Sequence, residues 1–169
     1  DFLKNLQETF AYGRKLVEGL QLVILGKPNV GKSSLFNRLV ASERAIVTDI
    51  PGTTRDVLRE TIDVDGVPLR FADTAGVRET SNLVERIGVS RTWEALADAD
   101  LAFVVLDGSC PLDRDDMEGL SGAKTIRHVV IVNKSDLPQV ADLGLLNGSQ
   151  RVHLSAKTGA GFSELRETV

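Results

Sequence analysis

Apolar and polar segments alternate along this chain in an order that predicts an α/β fold. Short apolar runs typical of buried strands occur at residues 22–25, 57–64, 67–71, 101–106, 129–132 and 151–154. Stretches with helical spacing begin at Gly31, run over residues 84–98 and begin again at Gly161. Asp65-Gly66, between two of the runs, is a strong hairpin signal. The pattern predicts a mostly parallel sheet of about six strands, with helices on both faces and one antiparallel edge hairpin.

The chain divides into a lead-in segment and one domain. In residues 1–19, apolar side chains such as Phe2, Leu6 and Phe10 recur at helical spacing until Gly19. We interpret this segment as a helical lead-in or linker. Residues 20–169 carry the strand and helix pattern and form the predicted domain, and a chain of 169 residues has room for one such domain.

Composition narrows the classes of partner. Lys plus Arg number 20 and Asp plus Glu number 24, whereas a domain that binds nucleic acid by itself usually has a basic excess. The longest apolar run, residues 101–106, is far shorter than the ~20 residues of a membrane span. Cys110 is the sole cysteine, so no internal disulfide can form. We therefore expect a cytoplasmic protein with no membrane partner and no nucleic-acid site of its own.

The segment after the first predicted strand matches the phosphate-binding pattern G-x-x-x-x-G-K-S. It reads Gly26-Lys27-Pro28-Asn29-Val30-Gly31-Lys32-Ser33. Glycines let the backbone curl so that successive N–H groups converge on phosphate oxygens, and the following helix directs its positive N-terminus at the same anion. Lys32 would reach the β- and γ-phosphates, and the Ser33 hydroxyl would hold Mg²⁺. The predicted phosphate contacts are Asn29, Val30, Gly31, Lys32, Ser33 and Ser34.

Three further motifs each follow a predicted strand. They are Asp73-Thr74-Ala75-Gly76, Asn133-Lys134-Ser135-Asp136 and Ser155-Ala156-Lys157. All lie at carboxyl ends of strands, where ligands bind in open α/β sheets. Asp73 can hold a Mg²⁺-bound water, and the Gly76 N–H can meet the γ-phosphate. The four motifs in this order predict a nucleotide-binding site.

The motif from Asn133 to Asp136 favours guanine over adenine. The Asp136 carboxylate is an acceptor only, so it can take both the ring N1–H and the exocyclic amino group of guanine, whereas adenine presents an acceptor at N1. Asn133 can support the loop and contact the base N7, and the Ala156 N–H can donate to the guanine carbonyl. The stem of Lys134 can cover one face of the ring. The predicted base contacts are Asn133, Lys134, Asp136, Ser155, Ala156 and Lys157.

The four motifs resemble those of Ras-like, translation-factor-related GTPases. Val77 follows Gly76 where Ras carries its water-orienting glutamine, and an apolar side chain cannot orient a water by hydrogen bonding. Residues 46–56, and residues 73–79 with 84–88 downstream, closely resemble the G domain of the MnmE (TrmE) family, a potassium-stimulated GTPase in tRNA wobble-uridine modification. The resemblance runs from Leu20 to the C-terminus and implies the isolated G domain of a longer protein.

This resemblance implies two cations beside the phosphates. The family ligates K⁺ through a phosphate-loop asparagine and through a loop whose oxygens complete the shell of the ion. The matching residues are Asn29, Thr48, Ile50 and Thr53. The residues implied for Mg²⁺ are Ser33, Thr54 and Asp73. A monovalent cation at this position can stabilise developing charge much as an arginine finger would.

The resemblance also implies the catalytic groups and the partners. Glu85 matches the family's catalytic glutamate and would orient the attacking water in place of Val77, with Glu79 as the competing candidate. The catalytic set is then Glu85, Lys32, Thr54 and Gly76. The domain would pair with a second copy of itself through its switch face. In the full-length protein the implied partners are MnmG (GidA) and tRNA.

Three other functions stay open at this point. An Era- or Der-type ribosome-assembly GTPase shares the phosphate loop and the switch I threonines, although the segment around Glu85 favours the MnmE family. A non-hydrolysing guanine-nucleotide switch is a binding module that signals by loop ordering. The intact Lys32, Ser33, Thr54 and Asp73 argue against it. A small-molecule P-loop kinase would not need the two base-reading motifs.

Two groups of polar residues receive a structural interpretation. Asp113, Asp115 and Asp116 are predicted to open an exposed helix, where negative charge suits the N-terminus. His128 and His153 flank predicted strands without the spacing of metal ligands, so we predict structural roles for both.

Overall fold

The structure is a computed structural model that describes residues 19–42, 44–45, 61–71, 96–146 and 148–169. The predicted lead-in over residues 1–19 lies outside these ranges except for Gly19. The predicted helix over residues 84–98 is described only from Leu96 onward. No helix within the described ranges is long and apolar enough to cross a membrane.

Seven strands in the described ranges form one sheet, which confirms the predicted α/β architecture. They are β1 (Leu20–Leu25), β2 (Arg44–Ala45), β3 (Thr61–Val64), β4 (Val67–Phe71), β5 (Leu101–Asp107), β6 (Arg127–Asn133) and β7 (Arg151–His153). Their spatial order is β2-β3-β4-β1-β5-β6-β7. The strands from β4 through β1 to β7 pair in parallel, whereas β2, β3 and β4 pair antiparallel.

The predicted hairpin forms between β3 and β4. Asp65 and Gly66 have φ values of 50° and 89°, the left-handed pair that a tight two-residue hairpin turn requires. The Gly66 N–H donates to Asp63 Oδ1 at 2.8 Å and closes the turn. Within the described ranges, β2 is the strand that the sequence did not predict, because two residues are too few to show a period. It adds a second antiparallel pair at this edge, next to β3.

Helices cover both faces of the sheet, as predicted. The α-helices of the described ranges are α1 (Lys32–Ser42), α2 (Arg114–Ala123) and α3 (Phe162–Thr168). Phe36 of α1 and Leu165 of α3 belong to the core on one face, and Leu120 of α2 belongs to the core on the other. Along β5 the side chains alternate, with Phe103 in the first core and Val104 in the second. Burial on both faces explains the nearly continuous apolar runs of the central strands.

The acidic residues at the start of α2 cap the helix as predicted, but one of them is buried instead of exposed. Asp113 is the N-cap, and its Oδ1 accepts hydrogen bonds from the N–H groups of Asp115 and Asp116 at 3.0 and 3.2 Å. Asp116 Oδ2 accepts from the Asp113 N–H at 3.0 Å, which completes a capping box. Asp116 is only 4% exposed, so the prediction of an exposed acidic run is wrong for this residue. This buried carboxylate contacts Lys27 in the loop after β1.

The parallel strands bring three loops to one edge of the sheet. The loop that leaves β1 leads directly into α1, Asn133 is the last residue of β6, and Ser155 lies just beyond β7. Carboxyl ends of parallel strands lie on the same side of a sheet, and a crevice there is where such folds bind ligands. The topology therefore sets the phosphate motif and both base-reading motifs around one crevice.

Candidate nucleotide-binding site

The loop between β1 and α1 is packed so tightly that it requires glycine. Gly26, Asn29 and Gly31 have φ values of 145°, 62° and 102°. A Cβ on Gly26 would lie 2.4 Å from the carbonyl oxygen of Val105, and a Cβ on Gly31 would lie 2.2 Å from Asn133 Nδ2. Both positions therefore need glycine for space as well as for conformation. Left-handed residues followed directly by a helix N-terminus are the geometry of an anion-binding nest.

The ammonium group of Lys32 lies over this same loop. Its Nζ donates to the carbonyl oxygens of Gly26 and Lys27 at 2.7 and 2.6 Å. These bonds fold the side chain back across the turn instead of extending it into solvent. The first bond of α1, from the Leu35 N–H to the Gly31 carbonyl at 2.9 Å, begins at the same turn. The positive charge of Lys32 and the positive N-terminus of α1 therefore lie at the same turn. Together they would attract the negatively charged phosphates of a nucleotide.

Asn133 joins the phosphate loop to the loop after β7. Its side chain is buried, with 3% of the residue exposed. Nδ2 donates to the Val30 carbonyl at 2.7 Å, and Oδ1 accepts from the Ala156 N–H at 2.9 Å. The amide of Asn133 therefore holds two loops at a fixed separation. The Ala156 N–H, predicted to meet the guanine carbonyl, donates to Asn133 in this structure, so a nucleotide would have to share that donor or use a neighbouring one.

Asp136 presents an oriented carboxylate at the surface. Ser155 Oγ donates to Asp136 Oδ1 at 2.6 Å, and the hydroxyl in turn accepts from the Thr158 N–H at 3.1 Å. The hydrogen bond from Ser155 is the main reason that the pKa of Asp136 lies below its ordinary value of 3.8, against a smaller opposing effect of desolvation. The nearby ammonium groups of Lys157 and Lys134 lower it further. The group is therefore ionised at neutral pH and can only accept hydrogen bonds, which is what the reading of guanine demands.

Lys134 is constrained at both its backbone and its charged end. Its φ is 65°, a left-handed conformation that is uncommon outside glycine. Its Nζ pairs with Oδ2 of Asp107, the last residue of β5. Desolvation alone would raise the pKa of Asp107, but hydrogen bonds from Lys134 and Ser109 outweigh it and lower the pKa. The tether fixes the aliphatic stem that the sequence predicts will cover one face of the base.

The phosphate loop contacts α2 through an ion pair that the sequence did not predict. Lys27 Nζ lies 2.7 Å from Asp113 Oδ2 and 2.7 Å from Asp116 Oδ2. Partial burial would lower the pKa of Lys27, but the two carboxylates raise it well above the ordinary lysine value. Because the Lys27 carbonyl also accepts from Lys32, this ion pair steadies the position of Lys32. No local pattern joins Lys27 to α2, and the acidic cap was the sole signal of it.

Several predicted site residues lie outside the described ranges. They are Thr48, Ile50, Thr53, Thr54, Asp73, Gly76 and Glu85. Their assignments to K⁺, Mg²⁺ and the hydrolytic step therefore stay predictions. Of the described candidates, the structure brings the loop from Gly26 to Ser33, the Asn133 motif and the Ser155 motif together.

The fold and these motifs define a class of protein, the P-loop GTPases, which are hydrolases that act on GTP. A sequence profile described as 50S ribosome-binding GTPase matches residues 21–134, and the chain belongs to that family. Within it, the chain is similar along nearly all of its length to the tRNA modification GTPase MnmE.

Two curated MnmE proteins illustrate this similarity. The chain is 50% identical over 168 residues to MnmE of Geobacter metallireducens, covering 99% of this chain and 37% of that protein. It is 47% identical over 167 residues to MnmE of Aquifex aeolicus, again covering 99% of this chain and 37% of that protein. The chain thus spans little more than a third of the length of these relatives. The identity supports the resemblance drawn from residues 46–56, 73–79 and 84–88.

Solved structures confirm the fold. Translation elongation factor SelB from Methanococcus maripaludis, in complex with a GTP analogue, has a TM-score of 0.65 at 20% identity, covering 89% of this chain and 32% of that chain. The cytosolic domain of the T. maritima FeoB iron transporter in its GMPPNP form has a TM-score of 0.59 at 22% identity, covering 88% of this chain and 61% of that chain. At these identities the likeness concerns the fold alone.

Proposed function

We propose that this chain is the G domain of a tRNA wobble-uridine modification GTPase of the MnmE type. Residues 1–19 would lead into it from the rest of the protein, and residues 20–169 would bind and hydrolyse GTP. The observation that carries the proposal is the 50% identity, over 99% of this chain, to a protein named tRNA modification GTPase MnmE. Identity at this level favours this function over the Era- or Der-type alternative.

The proposed GTP site uses the described loops in two parts. Backbone N–H groups from Asn29 to Ser34 and the ammonium group of Lys32 would bind the β- and γ-phosphates. Asp136 would take the N1–H and the exocyclic amino group of guanine, with the stem of Lys134 over the ring. The packing of the phosphate loop against Asn133 supports this division, because one buried side chain then sets the distance between the two parts.

The Ser33 hydroxyl, next to Lys32, is a donor suited to Mg²⁺. Ser33 stands next to Lys32 in the first turn of α1, and a hydroxyl oxygen is the hard type of ligand that Mg²⁺ takes. Ser33, Thr54 and Asp73 would hold the ion, which when bound neutralises charge that develops on the β- and γ-phosphate oxygens. Lys32 would hold the same oxygens, the Gly76 N–H would meet the γ-phosphate, and Glu85 would fix the attacking water in line with it.

A potassium ion and a second copy of the domain complete the proposal. Asn29 is exposed in the phosphate loop, and its amide oxygen would be one ligand of the cation. With Asn29, the residues proposed for K⁺ are Thr48, Ile50 and Thr53. The domain would dimerise through its switch face when the γ-phosphate orders the switches. In the full-length cytoplasmic protein, MnmG and tRNA would be its partners.

Hydrolysis of GTP and ATP, measured in sodium and then in potassium buffer, tests this function. We expect GTP hydrolysis that potassium stimulates, and essentially no hydrolysis of ATP. Asn29→Ala should remove more of the potassium stimulation than of the nucleotide affinity. Asn37→Ala, an exposed asparagine on α1 outside the motifs, is the matched control.

Sedimentation tests the dimer. We expect a monomer with GDP, and a dimer with GDP, aluminium fluoride and potassium. Equal mass in potassium and sodium would contradict the cation-dependent pairing.

In the hydrolysis experiment, equal rates with ATP and GTP would contradict the guanine site.

A further inference from the structure

We infer that Arg38 positions the base-reading loop after β7, an inference that rests on the guanine site proposed above. Arg38 lies on α1, the helix that begins at Lys32. Its Nε donates to the Ala156 carbonyl at 2.8 Å, and its Nη2 donates to the Lys157 carbonyl at 2.6 Å. Arg38 belongs to none of the nucleotide-binding motifs. The same helix therefore carries the phosphate-binding lysine at its start and a support for the base loop further along.

Phe162 and Gly159 also lie close to the guanidinium group of Arg38. Its central carbon lies 5.8 Å from the centroid of the Phe162 ring, within the range of a cation–π contact. A Cβ on Gly159 would lie 2.6 Å from Arg38 Nη1, so the loop closes directly onto the guanidinium group. A planar fork with fixed donors can bridge two successive carbonyls, whereas a lysine ammonium acts as a single point charge.

These two bonds determine where the next two N–H groups point. In a trans peptide the carbonyl and the following N–H point in opposite directions. Because the Ala156 carbonyl faces Arg38, the Lys157 N–H is directed away from α1. Because the Lys157 carbonyl also faces Arg38, the Thr158 N–H is directed to the other side, where it donates to Ser155 Oγ. Ser155 in turn donates to Asp136, so Arg38 supports the carboxylate through a chain of hydrogen bonds.

The Lys157 N–H is a candidate donor to the base, because Asn133 already accepts from the N–H of the preceding residue. The Ala156 N–H already donates to Asn133 Oδ1. The next donor along the loop is the Lys157 N–H, and Arg38 fixes its direction. Loss of Arg38 would free the peptide plane between Ala156 and Lys157 to rotate, and it would leave the next plane with the bond from the Thr158 N–H to Ser155 Oγ. Base contacts would weaken, while the phosphate contacts, made by a different loop, would remain.

The test compares Arg38→Met and Arg38→Lys with the matched control Arg151→Met. Arg151 is an exposed arginine on β7 that donates to the Leu143 carbonyl at 3.1 Å, outside the motifs. We expect Arg38→Met to release GDP at least ~10-fold faster, the scale of losing hydrogen bonds from a charged group. KM for GTP should rise similarly, with the single-turnover rate at saturating GTP within ~2-fold of the unmodified protein. The GDP release rate and KM of Arg38→Lys should lie between those of Arg38→Met and of the unmodified protein. Arg151→Met should match the unmodified protein in both.

Binding of inorganic pyrophosphate separates positioning from a general loss of structure. Pyrophosphate has no base, so its affinity should stay within ~2-fold in Arg38→Met while that of GDP falls by ~10-fold. An equal loss for both ligands, or an unchanged rate of GDP release, would overturn the inference. Asp136→Asn is measured alongside. If it keeps its preference for guanine over xanthine nucleotides, the guanine site is wrong and the role of Arg38 falls with it. If the preference changes while Arg38→Met behaves like the unmodified protein, only the role of Arg38 is refuted.

Discussion

Replacement of Asn133 by alanine removes the side chain that joins the two halves of the site. Its hydrogen bonds reach the Val30 carbonyl at 2.7 Å and the Ala156 N–H at 2.9 Å, and Val30 and Ala156 are both buried. In Asn133→Ala, the Val30 carbonyl and the Ala156 N–H both lose their hydrogen bond to the Asn133 side chain. A buried backbone group left unsatisfied costs ~1–3 kcal/mol, so two of them cost ~2–6 kcal/mol. We expect the free energy of unfolding of the nucleotide-free domain to fall by about 3 kcal/mol.

Urea unfolding without nucleotide measures this change in free energy. Asn37→Ala, exposed on α1, is the control and should stay within ~0.5 kcal/mol. Asn133→Asp is a second variant: its carboxylate can still accept from the Ala156 N–H but cannot donate to the Val30 carbonyl. Because its charge would also be buried beside the Val30 carbonyl oxygen, we expect Asn133→Asp to destabilise the domain at least as much as Asn133→Ala. A loss below ~1 kcal/mol for Asn133→Ala would refute the structural link, because it is less than one unsatisfied group should cost.

Three further predictions concern the base, the hydrolytic step and acid stability. Asp136→Asn should weaken guanine nucleotides and relatively favour xanthine nucleotides, because one amide oxygen cannot accept both base hydrogens. Competition binding measures this, and an unchanged preference for GTP over xanthosine triphosphate would contradict the guanine site. Glu85→Ala should slow single-turnover GTP hydrolysis by at least ~10²-fold with little change in nucleotide affinity. A loss under ~5-fold, with a larger defect in Glu79→Ala, would assign the role to Glu79 instead. The lowered pKa of Asp107 contributes stability that is present above its ordinary value of 3.8 and is lost as the pH falls through the lower folded value. Acid unfolding should therefore depend less on pH in Asp107→Asn over that window, and an identical dependence would speak against the Lys134 tether.

Much of the fold could be predicted because its signals are local. The strand β5 is a continuous apolar run, and Asp65-Gly66 lies between two such runs. The loop from Gly26 to Ser33 carries its chemistry in consecutive residues, so its spacing alone indicates a phosphate site. β2 could not be predicted, because a strand of two residues shows no hydrophobic period.

The contacts that tie the site together could not be predicted from local spacing. Arg38 meets Ala156 and Lys157 more than a hundred positions further along the chain, as the separations of 118 and 119 residues show. The sequence predicted that the Ala156 N–H meets the guanine carbonyl, and no local pattern indicates that Asn133, at the end of β6, accepts from this N–H. Hydrophobic periodicity indicates which face of an element is buried, but it does not pair one polar side chain with another.

The ion pair between Lys27 and α2 constrains the order in which these residues can change during evolution. The side chain of Asp113 is 57% exposed and that of Asp116 is 2% exposed, and both contact Lys27 Nζ. If Lys27 were lost first, the carboxylate of Asp116 would remain buried without its cation, which is strongly unfavourable. If a neutral residue replaced Asp116 first, Lys27 would keep Asp113 as a solvated partner. The tolerated path therefore begins with Asp116, and the lysine in the phosphate loop becomes replaceable only after that buried carboxylate is gone.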